Sequence, residues 1–135
     1  MDINEGIMPQ TAEVIELLKI NKTPFIIALN KIDNIFGWRK LSDDLKENIE
    51  NQGENTKQEF QEKLLTIMGS LYHHGFNAKP FYEVSDFTSE LALVPCSARS
   101  GEGINELILM LCGLSQKFLK QNLKVIISPS ILVIS

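Results

Sequence analysis

Cysteine is scarce in this 135-residue sequence: there are two, Cys96 and Cys112. Two thiols cannot complete a zinc site alone, and a disulfide-stapled scaffold needs more of them. The expectation is two reduced core thiols, because free cysteine is commonly buried. Excess positive charge is also lacking. Lys and Arg number 13 against 17 Asp and Glu, a formal net charge of −4. That balance argues against a nucleic-acid surface driven by bulk charge, and no direct nucleic-acid site is expected. There is no apolar run of ~18 residues, so no membrane span is expected. The opening Met1-Asp2-Ile3-Asn4-Glu5 has no basic-then-apolar leader pattern, which makes the cytoplasm the expected location. Internal repeats and low-complexity linkers are absent as well. What remains is 44% hydrophobic and 22% charged, the usage of an ordinary globular domain, in a chain long enough for one core.

Three amphipathic segments are present. The first spans roughly residues 11–20, with Val14, Ile15, Leu17 and Leu18 expected inward and Pro9 and Thr11 at its start. The second spans roughly 56–74. Its Phe60, Leu64, Ile67, Met68 and Leu71 form one stripe, and Gly75 stops it. The third spans roughly 104–120, with Ile104, Leu107, Ile108, Leu111, Leu114 and Phe118 on one side. Between them lie two continuous apolar runs, residues 24–29 and 91–96, which read as strands buried on both faces. Helix, strand, helix, strand, helix is the order of a parallel α/β sheet, in which ligands bind beyond the carboxyl ends of the strands. Residues 34–55 are polar and read as a surface insertion, partly helical. Residues 123–135 are β-prone and interrupted by Pro129.

Both strand ends carry residues suited to a guanine ring. Asn30-Lys31-Ile32-Asp33 follows the first, and Ser97-Ala98-Arg99 follows the second. Guanine offers N1–H and N2–H₂ donors side by side, and one ionised carboxylate, Asp33, can accept both. A backbone N–H at Ala98 can donate to O6, which adenine lacks, and the small side chain lets the base approach. The Lys31 stem can lie over the ring while its ammonium stays wet. Asn30 can tie the loop to neighbouring backbone and reach the base edge. Ser97 can hold the Asp33 rotamer, and Arg99 lies near base or ribose. The competing reading is a surface turn whose Asn and Asp only cap backbone groups. His73 and His74 close a helix, where a cation complements the dipole, and no metal or catalytic role is expected of them. Trp38 is expected to pack under its insertion, and Asp43, Asp44 and Glu47 to form a solvated face.

These two elements resemble the fourth and fifth signature motifs of the Ras-like GTPases. The flanks narrow the resemblance to the 5B-type translation initiation factors, archaeal and eukaryotic relatives of bacterial initiation factor two. They are residues 2–6, 9–11, 23–25, 34–39, 75–78, 85–88 and 101–114. Together they imply an α/β, partial Ras-like P-loop GTPase fold with a three-layer, mostly parallel sheet whose N-terminal half is missing. Residues 1–122 would be the guanine-recognition half. Residues 123–135 would be a remnant leading toward a following β-barrel domain, or an aberrant tail. Met1 would fall inside a buried strand. GTP or GDP is the implied ligand of the intact domain, with only weak guanine-nucleotide binding expected of this chain alone, and Mg²⁺ would be bound only through residues absent here. No Gly-rich loop ending in Gly-Lys-Ser/Thr occurs, nor the switch Thr, nor an Asp-x-x-Gly followed by His. No catalytic and no metal-binding residue is therefore assigned, and the chain alone is expected to be inactive as a GTPase. The ribosome is the partner implied for the intact factor. Two alternatives stay open: a non-catalytic interaction module derived from a GTPase, and part of another translation or ribosome-assembly GTPase.

Overall fold

The structure, a computed structural model, describes residues 1–21, 24–86, 89–117, 125–127 and 132–134. The elements run in the order α1 (Pro9–Ile20), β1 (Ile27–Leu29), α2 (Leu45–Glu50), α3 (Glu54–His73), β2 (Ala78–Pro80), β3 (Leu91–Pro95), α4 (Ile104–Lys117), β4 (Val125–Ile127) and β5 (Leu132–Ile134). Short 3₁₀ turns cover Ile32–Asn34 and Phe81–Glu83.

The continuous apolar runs become a parallel sheet in the order β1-β3-β2. Ile27 sits opposite Leu93, and Ala78 opposite Leu91. All residues of β1 and β3 are buried, as the unbroken hydrophobicity requires. Beside β1 runs the segment Met1–Ile3. Asn30 N–H donates to Met1 O (2.6 Å) and Ile3 N–H to Asn30 O (3.0 Å), and Asp2 pairs with Asn30 as a parallel bridge. β4 and β5 form a separate antiparallel pair. The expected third helix was to reach residue 120; its last three residues, Phe118 included, lie outside the described residues, as do Thr23, Phe87, Thr88 and parts of 118–135.

α3 follows its stripe. Phe60, Leu64, Ile67 and Leu71 are buried and Met68 packs against them, and burying Phe60 alone stabilises by roughly 1.5–3 kcal/mol. Gly75, at φ +86°, ends the helix. Its N–H bonds Tyr72 O (2.9 Å) and Phe76 N–H bonds Leu71 O (3.0 Å), the paired closure of a left-handed cap. Lys19 of α1 adds a bond to His74 O (2.9 Å), and His74 Nδ1 lies 3.0 Å from Glu16 Oε1. The histidine at this helix end thus ties α1 to α3.

Several expectations are corrected. Val14 and Leu17 are exposed. The buried line of α1 is Thr11, Ile15 and Leu18, and residues 14 and 17 stand about 100° round the helix from it. Ile108 is exposed for the same reason, while Leu107 and Leu114 face the core. Cys96 is buried but Cys112 is exposed, so only one thiol belongs to the core. The 34–55 segment, read as a partly helical surface insertion, contains α2, and Leu45, Asn48, Ile49 and Gln52 within it are buried. Asp43, Asp44 and Glu47 are exposed, as expected, and Asp44 also caps α2, its carboxylate accepting from Glu47 N–H at 3.0 Å.

Candidate functional site

The carboxyl ends of β1 and β3 are neighbours in the sheet, so the loops leaving them meet. Cys96 N–H donates to Leu29 O (2.8 Å) and Ile32 N–H to Cys96 O (3.2 Å), which extends the ladder into both loops. Burial of Cys96 pushes its thiol up to about 11, so it serves here as a small apolar side chain.

Two side-chain bonds then cross between the loops. The Ser97 hydroxyl donates to Asp33 Oδ1 at 2.8 Å, and Ala98 N–H donates to Asn30 Oδ1 at 3.0 Å. Asn30 Oδ1 also accepts from Lys31 N–H at 2.8 Å. With two backbone donors on that oxygen, the amide orientation follows from the network. Ser97 is buried, Asn30 and Asp33 are partly buried, and Lys31, Ala98 and Arg99 are exposed. The six residues singled out in the sequence therefore form one patch except for Arg99, for which the described contacts show no bond to the others. The Ala98 N–H, the donor suited to a base carbonyl, is held by Asn30.

Lys31 has φ +66°, the one non-glycine with positive φ among the described residues. A left-handed conformation costs an L-residue roughly 1–2 kcal/mol. The neighbouring bonds fix it: Asn34 N–H (3.1 Å) and Asn4 Nδ2 (3.1 Å) both donate to Lys31 O. The Lys31 ammonium lies 3.5 Å from Asp2 Oδ2, and Lys63 of α3 donates to Asn4 Oδ1 at 2.9 Å. Asp2 and Asn4 thus support the loop from behind, a role that sequence pattern did not assign. Below them the Met1 backbone nitrogen donates to Ala28 O at 2.8 Å.

The second loop turns on glycines. Gly101 N–H donates to Ser97 O and Ser97 N–H to Glu102 O, both at 2.8 Å. Gly103 has φ +77°, and a Cβ there would fall 2.2 Å from Pro95 O. Glycine is required at that position so that α4 can start directly under β3. Among the described residues, no group of three His, Cys, Asp or Glu side chains could hold a metal ion.

A family model of the elongation factor Tu GTP binding domain matches residues 1–117. The chain belongs to that family. It is similar to proteins named as probable translation initiation factor IF-2: 48% identical over 93% of this chain to that of Thermococcus onnurineus, and 50% identical over 93% of this chain to that of Thermococcus kodakarensis. It spans 21% of the first relative and 11% of the second. The crystal structure of GDP-bound aIF5B from Aeropyrum pernix superposes with a TM-score of 0.83 at 37% identity, over 99% of this chain and 25% of that one. The kinship is with GTP-binding translation initiation factors, and the α/β architecture with its three-stranded parallel sheet is that of the aIF5B GTPase domain. No described helix is long and apolar enough to cross a membrane.

Proposed function

We propose that this chain carries the guanine-reading part of a GTP-binding translation initiation factor. Asp33 accepts from guanine N1–H and N2–H₂, Ala98 N–H donates to O6, and the Lys31 stem covers the ring. Asn30 and Ser97 hold the two loops together, and Arg99 lies at the rim, near the ribose. The observation that carries this reading is the Ser97–Asp33 bond at 2.8 Å. It fixes a carboxylate at the junction of two strand ends, where α/β sheets take their ligands. Base binding draws Ala98 N–H toward O6, shared with or taken from Asn30. GTP and GDP are the ligands, and phosphates and Mg²⁺ are held by residues other than those assigned here. Cytoplasmic location, a ribosomal partner and a role in subunit joining attach to the intact factor.

Guanosine and inosine test the reading. Inosine keeps N1–H and O6 but lacks the exocyclic amine, so it forfeits one bond to a charged acceptor, worth about 1.5–3 kcal/mol. Titration followed by NMR should give guanosine the tighter binding by about tenfold or more. Equal affinity for the two nucleosides would remove Asp33 from the role of base reader.

A further inference from the structure

One buried carboxylate joins the 34–55 segment to the loop after β3. Glu102 is 7% exposed. Its Oε2 accepts from the Trp38 indole N–H at 2.9 Å and from Asn48 Nδ2 at 2.6 Å, and its Oε1 accepts from the Ser100 hydroxyl at 2.8 Å. Its backbone oxygen accepts from Ser97 N–H at 2.8 Å. Ser100 N–H in turn donates to Ser97 Oγ at 3.1 Å, and that hydroxyl donates to Asp33. A continuous series of hydrogen bonds therefore runs from Trp38 and Asn48, through Glu102, Ser100 and Ser97, to Asp33.

The far end of this series is rigid. The Trp38 ring packs on Phe60 of α3 with centroids 5.8 Å apart. Asn48 Oδ1 accepts from Leu41 N–H at 2.6 Å and from Gln52 Nε2 at 3.3 Å. The near end turns on two glycines, Gly101 and Gly103, which flank Glu102 with φ of +83° and +77°. A buried carboxylate stays where its donors are, because leaving it unsatisfied is costly. Both donors to its Oε2 belong to the 34–55 segment, while the donor to its Oε1, Ser100, and its own backbone belong to the loop bearing Ser97 and Ala98.

We propose that Glu102 is a positioning residue for base recognition, through which Trp38 and Asn48 set the geometry and the guanine affinity of the Ser97–Ala98 loop. The proposal rests on the base-recognition reading. It makes the 34–55 segment a determinant of nucleotide affinity and not a separate appendage. It also makes Trp38, the single tryptophan, a reporter of base binding.

The test uses this chain and three variants, Trp38→Phe, Glu102→Gln and Glu102→Ala, with Asp33→Asn as a fourth, a control at the base itself. Trp38→Phe keeps an aromatic ring against Phe60 and deletes the indole N–H together with part of the ring. Glu102→Gln keeps a carbonyl oxygen for Trp38 and Asn48, and its NH₂ can meet a turned Ser100 hydroxyl. Amide hydrogen exchange without ligand comes first. Exchange at Ser97, Ser100 and Gly101 should quicken about fivefold in Trp38→Phe and Glu102→Ala, the equivalent of one net hydrogen bond. It should stay within about twofold of wild type in Glu102→Gln, and α3 amides should be unaffected in Trp38→Phe. Guanosine should shift the Trp38 indole resonance in the wild type and bind about fivefold more weakly to Trp38→Phe, with Glu102→Gln near wild type. Should Glu102→Ala fail to fold, the other two variants decide. Unchanged loop exchange in Trp38→Phe, or acceleration spread evenly over the sheet, overturns the proposal. So does guanosine binding that Asp33→Asn abolishes and Trp38→Phe leaves intact. Absence of guanosine binding by the wild type overturns the base-recognition reading itself.

Discussion

Ser97 and Asp33 are separated by 64 positions in sequence and by 2.8 Å in space, hydroxyl to carboxylate. The same hydroxyl oxygen accepts Ser100 N–H at 3.1 Å, so one side chain orients the carboxylate and closes the loop behind it. Ser97→Ala removes both. The substitution should cost about 1–3 kcal/mol of stability, the range for a lost bond that leaves a partner unsatisfied. It should also weaken guanosine binding several-fold, because Asp33 then explores other rotamers. Urea denaturation and a guanosine titration read the two effects separately.

Gly103 and Gly101 make a matched pair. Both have positive φ, but a Cβ at Gly101 meets open space, whereas one at Gly103 runs into Pro95 O. Gly101→Ala should cost about 1–2 kcal/mol, the left-handed penalty alone. Gly103→Ala should cost clearly more, since the start of α4 must move off the backbone of β3. Denaturation midpoints of the two variants, measured side by side, check the difference. Equal losses would mean that the close approach of α4 to β3 is not fixed as described.

Acid should act through Glu90. Its carboxylate is held down to about 2, first by the Lys79 ammonium 2.5 Å away, then by Ser85 N–H and hydroxyl and Asp86 N–H, against the opposing effect of burial. Unfolded, the group protonates at the ordinary value of 4.5, so on acidification the unfolded chain takes up this proton first. The stabilisation is therefore complete above about pH 4.5 and is lost as pH falls toward about 2. Glu90→Gln removes this contribution. Between pH 5 and pH 2.5 the wild type should lose more of its urea midpoint than the variant does. Parallel losses would show that the Lys79–Glu90 pair does not govern this range.

The parts of the fold that could be read in advance are those in which a single physical cause dominates. Residues 91–96 are continuously apolar because β3 is the central strand, and the α3 stripe is regular because one helix face meets the core. That Asn30, Asp33, Ser97 and Ala98 would meet could be anticipated because both pairs follow the ends of buried apolar runs. β2 could not, since Ala78-Lys79-Pro80 has neither alternation nor an apolar run; its place comes from pairing with β3. The buried side chains within the 34–55 segment were not legible because polar side chains bury themselves through specific bonds. Gln52 exchanges two with the Arg39 backbone, Arg39 N–H to Oε1 at 3.0 Å and Nε2 to Arg39 O at 2.5 Å. Glu102 was not singled out in the sequence: its partners Trp38 and Asn48 are 64 and 54 residues away, beyond any local pattern.

Asp33→Asn tests the central claim most directly. The substitution replaces one acceptor oxygen with an NH₂ that faces the guanine N2 amine. Opposed donors at a buried contact cost on the order of 1–3 kcal/mol, beyond the lost charge-assisted bonds. Xanthine carries a carbonyl oxygen where guanine has that amine, and the new amide can donate to it. The measurement is a side-by-side titration of wild type and Asp33→Asn with guanine and xanthine nucleotides, read as the ratio of the two dissociation constants. Guanine recognition through Asp33 predicts a wild type that prefers the guanine nucleotide and a variant whose ratio swings toward xanthine by about tenfold or more. A ratio that the substitution leaves unchanged would contradict it.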